Sequence, residues 1–167
     1  TLGSCIFKTL NGYEGIVSGF TDFGDRFVVS GNVTLDLNGA GVYVYSHNTQ
    51  GPYLQPGFML DSTVASTLRL RNGTLVESVD FNRGGPSHLF DATPTAGRHK
   101  LYLENITMFY GGASSVSPPA MTFSEDIDLI IDQGTTSFYG PRGGAVNIYG
   151  TLKVNDFGIL QAGPDLN

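Results

Sequence analysis

Two eight-residue phrases in this chain match position by position. Leu68-Arg69-Leu70-Arg71-Asn72-Gly73-Thr74-Leu75 and Leu101-Tyr102-Leu103-Glu104-Asn105-Ile106-Thr107-Met108 both read apolar, any, apolar, any, Asn, any, Thr, apolar. Degenerate copies follow in Leu129-Ile130-Ile131-Asp132-Gln133 and Val146-Asn147-Ile148-Tyr149-Gly150-Thr151-Leu152, and Leu35-Asp36-Leu37-Asn38-Gly39 precedes them with its Asn one place early. The leading apolar residues fall roughly 33, 33, 28 and 17 residues apart, a repeat with insertions of unequal length and not a fixed-period solenoid.

Local periodicity says what each unit is made of. Arg26 to Ser30, Val33 to Leu37, Gly41 to Tyr45, Thr67 to Leu70, Lys100 to Leu103, Asp128 to Ile131, Ala145 to Ile148 and Thr151 to Val154 are short, β-branched or aromatic, and bounded by Gly, Asn or Asp. They are expected to be strands. No long window keeps apolar residues at helical spacing without a Gly or Pro, so almost no helix is expected. Gly111 to Ala120, with its Ser117-Pro118-Pro119 run, reads as the longest loop, followed by Asn48 to Gly57 and Asn82 to Gly97.

A unit of two short strands needs a bend residue that tolerates a left-handed backbone, hence Asn or Gly. If units stack, the apolar positions on either side of the bend form a continuous core. Asn38, Asn72 and Asn105 can then hydrogen-bond along the stack as an amide ladder. A β-sandwich or jelly roll is the alternative all-β architecture, but it has no need of one recurring phrase.

Composition excludes several functions. The 167 residues suit one domain, with 1–31 as an N-terminal cap or docking segment and 155–167 as a C-terminal tail. Nine basic residues face fifteen acidic ones, without a Lys/Arg cluster, so neither nucleic acid nor an anionic membrane surface is an expected partner. No apolar run is long enough to span a bilayer. The single Cys5 rules out an intrachain disulfide and reads as a small buried hydrophobe.

The phrases at Val33 to Gly39, Leu68 to Leu75 and Leu101 to Met108 resemble those of the right-handed parallel β-helix, or pectate-lyase-like, superfamily. The resemblance covers about Val33 to Val154 and carries no catalytic signature. It implies an all-β domain, a short single-stranded right-handed parallel β-helix of about five or six coils. It also implies a shortlist of polysaccharide lyases and hydrolases, bacterial surface passenger domains, and bacteriophage tailspikes and other virion β-helices.

For the enzymatic branch the candidates are few. His88, Asp91, Arg98, His99 and Lys100 gather in one expected loop, where Asp91 and His99 suit acid and base roles and Arg98 suits contact with a uronate. Glu125, Asp126, Asp128 and Asp132 are a candidate Ca²⁺ cluster of the kind lyases of this fold use, although charges at strand entries are more often solvated edges, and no metal or other cofactor is expected. Asp22 and Asp25 around Gly24 read as turn chemistry. The sequons at Asn32, Asn72 and Asn105 are a small excess over chance, and two of them coincide with the bend.

Size favours the structural branch. A groove for several sugar units needs many coils, whereas five or six leave exposed ends. Tyr53, Leu54, Phe58, Phe81, Phe90, Phe109, Tyr110, Phe138 and Tyr139 place apolar surface in expected loops, and Tyr53, Leu54, Phe58, Phe109 and Tyr110 are the candidate interaction residues. Thr1 suits removal of an initiator methionine without a leader, and equally a processed precursor. The expectation is a non-enzymatic virion protein, on the capsid surface or tail: a capsid decoration (cement) protein or tailspike-like element, homotrimeric and docked on the major capsid protein or another virion protein. The runner-up is a carbohydrate-active β-helix enzyme. A third possibility is an adhesive segment of a bacterial surface protein.

Overall fold

The structure, a computed structural model, describes residues 5–8, 27–39, 41–48, 54–55, 58–79, 87–110, 120–139 and 145–162. The described residues form thirteen strands and no helix: β1 (Cys5–Lys8), β2 (Phe27–Val29), β3 (Asn32–Asp36), β4 (Gly41–Asn48), β5 (Leu54–Gln55), β6 (Phe58–Leu60), β7 (Thr67–Val79), β8 (Ser87–Ala92), β9 (His99–Tyr110), β10 (Ala120–Phe123), β11 (Ile127–Tyr139), β12 (Ala145–Ile148) and β13 (Thr151–Ala162). They belong to two sheets. The longer runs β1-β3-β7-β9-β11-β13, with β4 beside the second half of β7 and β5 on β4. The shorter runs β12-β10-β8-β6-β2.

All these pairings are parallel except the short β4/β5 contact. The antiparallel hairpins of a sandwich or jelly roll are therefore not what joins the repeated phrases. From β6 onward the chain alternates strictly between the sheets, visiting the short one before each long strand. The two sheets do not close on each other.

Pairing register corrects the alignment of the repeat. Val33, Leu68, Leu101, Leu129 and Leu152 are mutual partners across β3, β7, β9, β11 and β13. The first copy thus begins at Val33 and not Leu35. Val146 and Ile148 lie in β12 of the short sheet, so the last copy begins at Leu152. The expected C-terminal tail is also corrected, since residues 155–162 continue β13 along β11. Its remainder, 163–167, and most of the expected cap 1–31 lie outside the described residues, apart from β1, which pairs with β3, and 27–31, which hold β2.

Among the described residues, the left-handed ones other than glycine are Asn38 (φ 52°), Asn72 (φ 58°) and Asn105 (φ 52°). Each ends a run of alternating apolar residues. Asparagine tolerates that region because its short polar side chain substitutes for lost backbone bonds. In β11 the same place is held by Gly134 (φ 64°), where a Cβ would lie 3.1 Å from that of Asn105, a close approach that glycine avoids.

Both sheets contribute to one core. Leu68, Leu70 and Leu75 of β7, Leu101, Leu103, Ile106 and Met108 of β9, and Ile127, Leu129 and Ile131 of β11 are wholly buried. They face Val29, Leu60, Phe90 and Phe123 of the short sheet. Phe58, Phe90 and Phe123 form a column, with ring centroids 5.2 and 5.5 Å apart and planes within 17°. Phe138 meets Phe123 edge-on at 5.9 Å. Stacked parallel strands bring like residues into contact, and each buried ring or branched chain contributes about 1.5–3 kcal/mol.

Candidate functional site

Strand alternation sends every second side chain of the long sheet away from the core, and there the charged residues collect. Register places Thr34, Arg69, Tyr102, Ile130 and Lys153 in one row, with Asp36, Arg71 and Glu104 in the next. Asp132 and Asn155 lie just past the register shifts in β11 and β13. Within this face both arginines are matched to carboxylates. Arg71 Nε donates to Asp36 Oδ2 at 3.0 Å. Arg69 Nη1 donates to Asp132 Oδ2 at 2.7 Å, also pairs with Glu104, and its guanidinium lies 4.2 Å from the centre of the Tyr102 ring. Asn155 donates to the second Asp132 oxygen.

These contacts fix protonation. At Asp36 burial works to raise the carboxyl, but bonds from the Asn38 backbone N–H, the Asn72 amide and Arg71 outweigh it, and the group titrates below its ordinary value. Asp132 is lowered chiefly by the Arg69 hydrogen bond, then by Asn155, against a smaller burial effect. Carboxylates held ionised at neutral pH are acceptors and do not supply the proton a glycoside-cleaving acid must give.

The trio expected to act together is spread over separate structural duties. Asp91 lies in β8 and accepts the backbone N–H of Ala92 at 2.8 Å. Arg98 pairs with Asp128 and donates to the Ile127 carbonyl at 3.2 Å. His99, first residue of β9, has no exposed surface. Its Nδ1 accepts the Ser66 N–H at 3.0 Å, which leaves the proton on Nε2, 2.8 Å from the Thr93 carbonyl oxygen it donates to. Both ring nitrogens are thereby committed. The expected single loop is corrected too: His88 and Asp91 are in one strand of the short sheet, His99 and Lys100 in one of the long sheet.

His99 instead belongs to a polar column at the entry to the long sheet. Gly31 N–H donates to Ser66 Oγ at 3.0 Å, Ser66 N–H to His99, and His99 N–H to the Asp126 carbonyl at 3.0 Å. Each of Gly31, Ser66 and His99 stands two residues before the leading apolar residue of its phrase, a recurrence that sequence reading passed over.

The candidate Ca²⁺ cluster is likewise split, with Asp128 on Arg98, Asp132 on Arg69 and Asn155, and the Asp126 N–H on Ser124 Oγ. Among the described residues no three His, Cys, Asp or Glu side chains group as metal ligands. Asp22 and Asp25 lie outside the described residues. At the bends, Asn72 donates to Asp36 Oδ1 at 3.3 Å, so the bond formed runs to a carboxylate and not to another asparagine. Asn38, Asn72 and Asn105 all have exposed side chains.

Of the interaction candidates, Phe58 is corrected to core at 3% exposure, as are Phe90 and Phe138. Phe109 is exposed at 40% and stacks on Tyr139 at 4.8 Å. Leu54 and Tyr110 fall in β5 and β9, and Tyr53 and Phe81 lie outside the described residues. The apolar surface that sequence reading missed is β13. Leu152, Val154, Phe157, Ile159 and Leu160 are 38–81% exposed, and Tyr149 beside them is 68% exposed.

No family model, no curated protein and no solved structure matches this chain.

Proposed function

We propose that the chain is a short right-handed parallel β-helix that serves as a structural component of a virion, a capsid decoration (cement) protein or a tailspike-like element. What supports the coil reading is that strands pair in parallel while the chain alternates between sheets, with five or six passages through the long sheet. Right-handedness follows from the strong bias of parallel crossovers.

The observation that carries the structural role is where chemical potential is spent. The acid, base and cation candidates are tied up in bonds within the fold, while the surface left over is apolar, on β13 and at Phe109. A rigid stack with sticky edges holds neighbours together. In this reading it trimerises, docks on the major capsid protein, and makes separation slow, since each Å² of apolar surface re-exposed costs about 25 cal/mol. The net charge of −6 keeps a dense outer layer soluble.

A carbohydrate-active enzyme is the second reading. Its support is the outer face of the long sheet, where Tyr102 sits beside Glu104 and Asp132 on one arginine. It ranks second because Arg69 lowers the Asp132 carboxyl below its ordinary value and ties Glu104 into an ion pair. The test is quantitative mass spectrometry of purified particles together with reducing-end release from alginate, pectin and capsular polysaccharides. The structural role predicts many copies per particle, earlier thermal disruption of particles lacking the chain, and no turnover. Turnover abolished by Arg98→Ala or Glu104→Gln, with no particle-bound copies, overturns it.

A further inference from the structure

We propose that the β13 edge is a self-association surface, on which a second copy of this chain docks end to end about a two-fold axis. Leu129 and Ile131 in β11 have no exposed surface, yet their register partners in β13, Leu152 and Val154, are 41% and 46% exposed. Leu160, partner of the buried Thr136, is 38% exposed. These residues keep the core-facing phase of the preceding strand but have nothing stacked above them among the described residues. Phe157 at 81% and Ile159 at 59% extend the apolar surface around the same edge.

The amount is significant. With Tyr149, these side chains expose about 600 Å², at the upper limit of the largest patch a soluble monomer carries. A stable interface needs about 800 Å² from each partner, and these residues alone supply most of it. An unpaired strand edge adds a row of open backbone hydrogen-bonding groups.

Shape selects the occupant. β13 has a register irregularity: Val154 and Phe157 oppose Ile131 and Gln133, so an extra residue is inserted at Asn155–Asp156. A second β13 turned about a two-fold through the irregularity fits this edge, because the operation lays the 151–154 arm of one copy over the 157–162 arm of the other. Leu152 and Val154 then meet Ile159 and Phe157 of the second copy, and the contact is made twice.

Charge agrees with this arrangement. Lys153 and Asp156 flank the irregularity and belong to no ion pair among the described residues. Around the axis the Lys153 of each copy lies beside Asp156 of the other. The arrangement closes after two copies, whereas stacking β13 on the β1 end of another molecule would propagate into fibres.

This surface is the β13 edge on which the virion reading also draws, but two-fold pairing of two copies requires no virion partner. The test is light scattering coupled to size exclusion on the full chain, with circular dichroism to verify folding of every variant. The expected mass is an even multiple of the chain: two copies alone, six if a lateral trimer is also present. Lys153→Asp and Asp156→Lys each weaken association at least about tenfold by setting like charges together. Mixing the two variants restores it, because only the mixed pair is complementary. Odd-numbered assemblies, open-ended growth, or even-numbered assemblies indifferent to all of these changes overturn the proposal. A trimer insensitive to β13 substitutions removes this inference and leaves the virion reading standing.

Discussion

Replacing His99 with Ala separates a structural imidazole from a catalytic one. The side chain is fully buried and joins two backbone segments, taking the Ser66 N–H on Nδ1 and giving its Nε2 proton to the Thr93 carbonyl. Removal leaves the Ser66 N–H, in a residue with no exposed surface, without an acceptor, which costs about 1–3 kcal/mol. The Thr93 carbonyl belongs to a half-exposed residue, so water replaces its partner at little cost. Loss of the ring's packing adds about 2–3 kcal/mol, less than a buried Phe because the imidazole is smaller and polar. The sum, about 3–6 kcal/mol, is a large part of the 5–15 kcal/mol typical of a domain. Two further variants divide it. His99→Asn keeps an acceptor near the Nδ1 position, His99→Gln keeps a donor near Nε2, and Asn is expected to be the milder because it serves the buried partner. Urea unfolding followed by circular dichroism reads all three. A His99→Ala loss under about 1 kcal/mol, or Gln tolerated better than Asn, refutes the reasoning.

Phe90 lies between Phe58 and Phe123 with no exposed surface, and Phe90→Ala is expected to cost about 3–5 kcal/mol in the same assay, Phe90→Leu less than half of that. Asn105→Gly is expected to be neutral within about 0.5 kcal/mol, whereas Asn105→Val costs at least about 1–2 kcal/mol because a branched residue resists φ of 52°; equal costs would contradict the left-handed assignment. Asp36 and Asp132 titrate below their unfolded value near 3.8, so the stability they lend is complete above that value and is lost as pH falls through their lower folded values. Asp36→Asn should therefore flatten the acid limb of the stability curve below about pH 4, as measured by urea midpoints across pH.

Sequence reading went furthest where the chain repeats itself. The long-sheet strands and the left-handed asparagines were legible because a stacked fold asks the same of each layer: two apolar residues, then a bend residue. The short sheet was less legible. β6, β8 and β10 are three to six residues long; β8 lies in the expected loop Asn82 to Gly97, with the polar His88 and Asp91 hiding its pattern, and β6 and β10 fall where no strand was expected. The signal available was a Phe two residues before Leu60 and Ala92, recurring once per repeat.

Charged residues were the least legible. Arg98 and His99 looked available because sequence shows a side chain's chemistry but not its partners, and apart from Thr93, six residues before His99, the partners lie 29 to 33 residues away in the chain. The ion pairs of Arg69 and Arg71 went unnoticed for the same reason, spanning 63 and 35 residues. The apolar edge of β13 was read as a tail because its last phrase was assigned to β12, one strand too early.

The account rests on one parallel stack in which Thr34, Arg69, Tyr102, Ile130 and Lys153 form a row. Spin labels placed in pairs along it, read by pulsed electron resonance, test that claim directly. Successive partners in a sheet are about 4.8 Å apart, so Thr34 to Ile130 should read about 14 Å and Thr34 to Lys153 about 19 Å before label length is added, one strand spacing more. Distances that fail to increase in this order, or a Lys153 label closer to Thr34 than the Ile130 label is, would contradict the stack and every inference built on it.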